Sequence, residues 1–374
     1  MTNRHEPLLP GDPAPFFVQA STANPRFVFD TTGGRYLVLA FFGSAAAPHA
    51  VEALRLLTEE RQLFDDERIS FFGVSIDPRD DAEKRIRESV PGIRFFCDFD
   101  LSVSRLYGAA DPEAGAFLPI WYVLDPNLRV RAVFPMHGDD SGRKAVADCL
   151  RRLPPVDHAP GLPVSAPVLL ISNVFEPAFC RRLIELYEMN GGHESGVMKQ
   201  IGGKTVGVMD FGHKRRADHI VEDADLQRRI QARIKRRVTP EIRKVHQFEA
   251  TRMERYLVGC YDSETGGHFR PHRDNTTAGT AHRRFAVSIN LNDDFSGGEV
   301  CFPEYGPRGY KMPAGGAVVF SCSLLHAVSR VTAGKRFAFL PFLYDETAAE
   351  IRRKNLHLVA AEPEGLSSEH EQAR

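Results

Sequence analysis

The chain has 374 residues and a formal net charge of −1, with 48 Lys and Arg against 49 Asp and Glu. It is 43% hydrophobic and 26% charged, an ordinary globular composition, long enough for two or three domains with ample core. The charge balance excludes a global pull toward nucleic acid or anionic membrane. No run of about 18 apolar residues occurs, which excludes a transmembrane helix.

Proline marks the main division. Pro154, Pro155, Pro160, Pro163 and Pro167 crowd the stretch LPPVDHAPGLPVSAP, a density that blocks helix and sheet ladders and favours an extended linker. The expected organisation is a first domain over 1–153, a linker over 154–166, a second domain over 167–348 and a C-terminal tail over 349–374. Its last stretch, 362–374, is polar and expected to be disordered. In the first domain the pattern predicts strands over 35–42, 69–76, 93–97, 120–124 and 130–134. Helices are predicted over 48–64, 79–89 and 141–152. That alternation predicts a mixed sheet covered by helices, an α/β domain. In the second domain a strand over 168–171 precedes helices over 176–189 and 223–238. From residue 250 the pattern turns to short strands over 250–258, 285–291, 300–302, 317–320, 327–331 and 337–343. Glycine and proline turns separate them, which predicts an α+β domain built on a double-sheet jelly roll with flanking helices.

Chemistry concentrates in His272-Arg273-Asp274, followed by His326 and Arg336. In an extended segment side chains alternate, so residues two apart point the same way. His272 and Asp274 can therefore reach one metal from a single strand end, with His326 arriving from a distant strand. Two imidazoles and one carboxylate suit Fe(II) and leave positions open for substrate and dioxygen. Arg336, ten residues past His326, could clamp a carboxylate bidentately. Among the other histidines, His268 is expected near the entrance. His213 and His282, each beside basic residues, are expected at the surface, and His193, His219 and His246 lack partner spacing.

The ordered set resembles the Fe(II)/2-oxoglutarate-dependent dioxygenases of the prolyl-4-hydroxylase-like type. It runs from Arg255-Tyr256 and Gly259 through His268-Phe269-Arg270-Pro271-His272-Arg273-Asp274-Asn275. It continues through 285–292, Phe295-Ser296-Gly297-Gly298-Glu299-Val300 and Gly316-Ala317-Val318-Val319-Phe320 to Leu325-His326-Ala327-Val328 and Val331-Thr332-Ala333-Gly334-Lys335-Arg336. The resemblance covers about 165–346. It implies iron held by His272, Asp274 and His326, and 2-oxoglutarate bound through Arg336 with Tyr256 donating its hydroxyl. It also implies hydroxylation of a C–H bond with succinate and CO2 as co-products, and ascorbate as a supporting reductant. Residues 260–266 read as a local insertion between Tyr256 and the HxD triplet. Ala338 stands where a hydroxyl side chain is often found, with Thr332 or Ser288 as candidate substitutes.

Residues 6–152 resemble the thioredoxin-fold peroxiredoxins of the alkyl hydroperoxide reductase type. The text is Gly11-Asp12-Pro13-Ala14-Pro15-Phe16, Ser44-Ala45-Ala46-Ala47-Pro48, Phe72-Gly73-Val74-Ser75-Ile76-Asp77 and Trp121-Tyr122-Val123-Leu124-Asp125-Pro126. The family's thiol position, directly before a helix-starting proline, is Ala47. Ser44 keeps the assisting hydroxyl. The assisting arginine position is Pro119, where a cis-proline like that of the wider thioredoxin fold is expected. Alanine cannot attack a peroxide, so protein recognition or packing replaces peroxidase activity as the expected role.

The six cysteines form no CxxC pair, which fits free thiols in a reducing compartment. MTNRHEPLLPGDPAPFF lacks an apolar signal core, so a cytoplasmic location is expected. The family's substrates are prolyl or lysyl residues in proteins, free amino acids and other small molecules; a fused second domain favours a protein or peptide. Nucleic acid is marked down as a partner, because Phe342 stands where the nucleic-acid repair branch carries a second arginine. The basic runs HKRR (213–216) and RRIQARIKRR (228–237) could be solvated faces or contacts for an acidic partner. Two further readings stay open: a non-catalytic binding or sensing protein, and a thiol peroxidase using a displaced cysteine. The intact set of His272, Asp274, His326 and Arg336 favours the enzyme.

Overall fold

The computed structural model describes residues 6–359. The chain divides into a first unit ending at Ala166, which also takes in 303–307, and a second beginning at Pro167.

The first unit is built on strands β1 (Tyr36–Gly43), β2 (Ile69–Ser75), β3 (Ile93–Cys97), β4 (Ile120–Leu124) and β5 (Val130–Pro135). Their order is β3-β2-β1-β4-β5. β1, β2 and β3 are parallel, while β4 and β5 run antiparallel. β1 is buried on both faces, as the centre of a covered sheet requires. Tyr36, Val38, Ala40 and Phe42 enter one core with helices α1 (Pro48–Leu54) and α3 (Ser141–Arg151); Leu37, Leu39 and Phe41 enter the other. Each large side chain so buried contributes roughly 1.5–3 kcal/mol.

Two predicted helices are shorter than their patterns. The one expected over 48–64 ends at Leu54, with separate turns at Leu56–Glu59 and Arg61–Leu63. The one expected over 79–89 is only α2 (Pro78–Ala82), because Lys84 adopts a left-handed φ of 55° and Ile86 turns into the core. The segment expected as an extended linker instead forms a turn at Val156–His158, and Ala159 is buried in the first unit's core.

The second unit begins with β6 (Leu169–Ile171), α4 (Pro177–Asn190), β7 (His193–Glu194) and a hairpin of β8 (Val197–Ile201) and β9 (Lys204–Val208). Then come β10 (Lys214–Arg215), β11 (Ala217–Ile220), α5 (Ala224–Arg237), α6 (Thr239–His246), β12 (Arg252–Glu254), β13 (Leu257–Asp262), β14 (His268–His272) and β15 (Phe285–Asn290). It closes with β16 (Val300–Cys301), β17 (Gly309–Tyr310), β18 (Ala317–Ser321), β19 (His326–Val328), β20 (Lys335–Phe339), β21 (Phe342–Tyr344) and α7 (Glu346–Asn355). The larger sheet has the order β6-β18-β15-β20-β13-β11-β7, with β21 pairing β12 and β15. The smaller has the order β10-β14-β19-β16-β17. Every pairing named here is antiparallel.

Alternation divides the larger sheet. Cys260, Val287, Ile289, Phe337 and Phe339 pack with α4, α5 and α6 in one core. Their neighbours Tyr261, Ser288 and Arg336 alternate to the opposite face, where Tyr261 and Ser288 line one pocket with His272 and His326. Two long predicted strands are broken. Arg255, at φ 66°, separates β12 from β13; Pro341, which has no N–H for the ladder, lies between β20 and β21. Helix α7 occupies part of the expected tail, capped by the Asp345 carboxylate accepting from the Ala348 N–H at 2.8 Å. The stretch 362–374 lies outside the described residues.

Candidate metal and oxo-acid site

β14 and β19 pair with His272 opposite His326, which makes the two imidazoles cross-strand neighbours with ring centroids 4.2 Å apart. Asp274 follows two residues after His272, its N–H donating to the Cys322 carbonyl at 2.9 Å. Its carboxylate oxygens stand 3.7 Å from His272 Nε2 and 3.3 Å from His326 Nε2. One ligand atom from each residue lies within 4.8 Å of the others.

The tautomers are fixed by the backbone. His272 Nδ1 faces the Arg270 carbonyl at 2.8 Å and His326 Nδ1 the Leu324 carbonyl at 3.0 Å. A carbonyl can only accept, so each Nδ1 carries its proton and each Nε2 turns a lone pair to the centre. Burial, and then His326, lower the His272 pKa well below its ordinary value, which keeps that imidazole neutral. Burial opposes ionisation of Asp274, but His326, His272 and Arg283 hold its carboxyl well below the usual range. Apolar rings wall the centre: Phe269 stacks on His272 at 3.5 Å, and Phe320 lies 4.6 Å from His326.

Arg336 is 1% exposed. Its Nε donates to Asn290 Oδ1 at 3.0 Å and its Nη2 to Ser288 Oγ at 2.7 Å. Its Nη1 is buried with no hydrogen-bond partner among the described residues. A buried, unsatisfied guanidinium nitrogen beside a pocket is costly and fits an anionic ligand. Ser288 thus supplies the hydroxyl that Ala338 lacks, whereas Thr332 is exposed and takes no part.

Tyr256 is not at this site. Its hydroxyl bonds the Gln231 side chain, and its ring packs against the helical core. Tyr261 takes the expected place: it lines the pocket with His272, Asp274 and His326, and the Arg336 guanidinium sits 5.3 Å from its ring. Arg216 Nη1 donates to the Tyr261 hydroxyl at 3.3 Å while Arg216 grips Asp218 at 2.6 and 2.7 Å. Because arginine cannot accept, the phenol proton is left to point elsewhere. The sequence signal was parity. Tyr261 pairs directly with Arg336 across β13 and β20, so both project from one face.

The HKRR run is not solvated. Lys214 and Arg216 are 4% and 6% exposed, alternate residues turned inward. His213 is half-buried, 6.3 Å ring to ring from His272. His282, expected at the surface, is 2% exposed and bonds Glu254 at 2.9 Å. His268 is half-buried, held by the Gly266 carbonyl at 2.8 Å. In the second basic run, Arg233 and Arg237 bond Glu176 at 2.7 and 2.5 Å, and Arg233 covers the Phe179 ring at 3.9 Å. That face packs on α4.

In the first unit Ala47 caps α1, directly before Pro48. Ser44 Oγ donates to Asp77 Oδ2 at 2.8 Å. The cis peptide bond precedes Pro91, and none precedes Pro119. All six cysteines are free. Burial pushes every thiol up, Cys97, Cys180 and Cys260 to about 11, the reverse of what a reactive thiolate needs.

Two histidines and an aspartate beside a buried arginine are the donor set of non-haem iron oxygenases that take an oxo acid. Residues 255–344 match the model of the 2OG-Fe(II) oxygenase superfamily, and residues 10–133 match that of the AhpC/TSA family. The first match falls in the second half of the chain and the second match in the first half. It is 38% identical over 91 residues to a PKHD-type hydroxylase of Gluconobacter oxydans, across 22% of this chain and 39% of that protein. A PKHD-type hydroxylase of a Synechococcus strain is 32% identical over 89 residues, with the same coverage. The chain thus spans about two-fifths of the length of these relatives. Among solved structures, a Trichoplax adhaerens prolyl hydroxylase bound to a hypoxia inducible factor peptide aligns over 49% of this chain and 86% of that one, with 14% identity and a TM-score of 0.40. A Plasmodium vivax 2-Cys peroxiredoxin aligns over 38% and 95%, with 15% identity and a TM-score of 0.33.

Proposed function

We propose that this protein is an Fe(II)- and 2-oxoglutarate-dependent dioxygenase that hydroxylates a C–H bond, releasing succinate and CO2. The observation that carries this reading is the orphaned Nη1 of buried Arg336, in the unit that gathers His272, Asp274 and His326. The three side chains would hold the metal, and Arg336 with Tyr261 the distal carboxylate of 2-oxoglutarate. Bound iron supplies activation of dioxygen. The chain's own residues do the rest. Arg270 and Leu324 carbonyls orient the imidazoles, Ser288 and Asn290 aim the guanidinium, and Phe269 and Phe320 exclude water. We read the two antiparallel sheets as the expected jelly roll.

The substrate class proposed is a prolyl or other residue in a protein or peptide; the PKHD-type relatives are named hydroxylases. Ascorbate would serve as supporting reductant. The thioredoxin-like unit, taken as 1–153 and followed by the 154–166 segment, would act in protein recognition. No helix among the described residues is long and apolar enough to cross a membrane. Six free cysteines favour the cytoplasm. The test is calorimetry under nitrogen. Wild type should bind Fe(II) and then 2-oxoglutarate, Asp274→Ala should lose the metal, and Arg336→Gln should keep the metal but weaken 2-oxoglutarate. Equal 2-oxoglutarate binding by wild type and Arg336→Gln would refute the assignment.

A further inference from the structure

The pocket lined by His272, Asp274 and His326 also takes in Arg216 and Arg255, and it meets Arg336 through Ser288. Along β15, Ser288 and Asn290 serve Arg336, while Ala286 pairs with Phe342. The two residues of strand from Ser288, the nearer partner of Arg336, to Ala286 span about 7 Å. At that far end Arg255 and Arg283 flank the Phe342 ring at 5.5 and 4.1 Å. Arg283 bonds Glu254 at 2.7 Å, a carboxylate that His282 and Arg352 also reach at 2.9 and 3.3 Å. Among the described residues, Arg255 has no carboxylate to itself. Its carboxylate neighbour, Asp218, is 3.5 Å away and already gripped by Arg216 on both oxygens. Two guanidiniums therefore share one carboxylate, which leaves one positive charge facing the pocket that Tyr261, His272, Asp274 and His326 also line.

Arg255 reaches this place through a left-handed backbone, φ 66°, a conformation that costs a side-chain-bearing residue energy and points to function when the fold preserves it. Burial, with Arg216 and Arg283 close by, lowers its pKa, as expected where positive charge is crowded. Charge in such a setting is relieved by an anion.

We infer that the prime substrate carries a carboxylate that Arg255 binds, at the opposite end of the pocket from the 2-oxoglutarate carboxylate on Arg336. This rests on the dioxygenase reading for which carboxylate is which. A free amino acid and an acidic residue of a peptide offer the same chemistry, and paired probes tell them apart. Protein loaded with Fe(II) and 2-oxoglutarate under nitrogen is titrated with N-acetyl-L-proline and N-acetyl-L-prolinamide. It is then titrated with the peptides Ac-Ala-Pro-Glu-NH2 and Ac-Ala-Pro-Gln-NH2.

At least one pair should show the acid binding wild type about tenfold more tightly than its neutral counterpart. The pair that does so names the source. Arg255→Gln should bring that ratio near one, and Arg255→Lys, with charge but no planar fork, should keep part of it. Equal binding of acid and amide in both pairs by wild type would overturn the inference, whether or not the variants fold. So would a preference that survives in folded Arg255→Gln. Succinate release by wild type in air is scored separately. Its absence alongside an Arg255-dependent acid preference would sink the dioxygenase reading and leave the anion site standing.

Discussion

Tyr261→Phe removes the phenol that Arg216 orients beside Arg336. One hydrogen bond to a charged group corresponds to about 1.5 kcal/mol or somewhat more, so the apparent KM for 2-oxoglutarate should rise roughly tenfold. Tyr256→Phe loses only the contact with Gln231 and should leave that KM near wild type. Titrating 2-oxoglutarate with each variant separates the two; the reverse pattern would restore Tyr256 to the site. At this scale the sequence was most legible where chemistry is rare. An HxD triplet followed by a histidine and an arginine at the right intervals has few other uses, and the two-residue spacing does place His272 and Asp274 together. The tyrosine was less legible. Tyr256 and Tyr261 are five apart in sequence, an odd number, so an unbroken strand would put them on opposite faces. Only the pairing of Tyr261 with Arg336 says which face matters.

Single elements are legible where one pattern runs uninterrupted and obscure where a turn cuts it. The helices expected over 176–189 and 223–238 appear as Pro177–Asn190 and Ala224–Arg237. The run over 250–258 is broken by left-handed Arg255, which apolar alternation does not foretell. The basic runs misled for a different reason: charge suggests water, but tertiary packing supplied partners. Glu176→Ala would strip Arg233 and Arg237 of their carboxylate. Because Glu176 is 44% exposed, the loss should be modest, about 0.5–1 kcal/mol in urea unfolding. A null effect would show that apolar packing of Leu226, Ile230 and Ile234, with the Phe179 contact, docks α5 without this ion pair. Lys214 is a sharper case. Burial, with Arg216 nearby, pushes its ammonium down to about 6 from an ordinary 10.5. Between those values the unfolded chain binds a proton that the folded chain does not, so this group makes stability rise with pH from about 6 to 10.5. Lys214→Met should flatten that rise in thermal-shift profiles. An unchanged profile would mean the amine is charged in the fold, held by Ser195 Oγ at 2.6 Å and the Gly196 carbonyl at 3.0 Å.

For the whole molecule, composition and proline placement pointed to two bodies, and strand–helix alternation against short glycine-punctuated strands distinguished them. What they do is unequal. The first unit keeps the sheet and the Ser44 hydroxyl, but Ala47 stands at the start of α1 and every thiol is shifted up. Wild-type protein should therefore consume hydrogen peroxide with dithiothreitol no faster than the reductant alone; thiol-dependent turnover would revive the displaced-cysteine reading. The second unit gathers His272, Asp274 and His326, and the proposed dioxygenase activity is read out in succinate. Wild type and His272→Ala are given 2-oxoglutarate, Fe(II) and air, and succinate is quantified by mass spectrometry. Slow succinate release from wild type, and none above background from His272→Ala, is the expected result. Equal release from both, or none from wild type that has been shown to bind Fe(II) and 2-oxoglutarate, would contradict it.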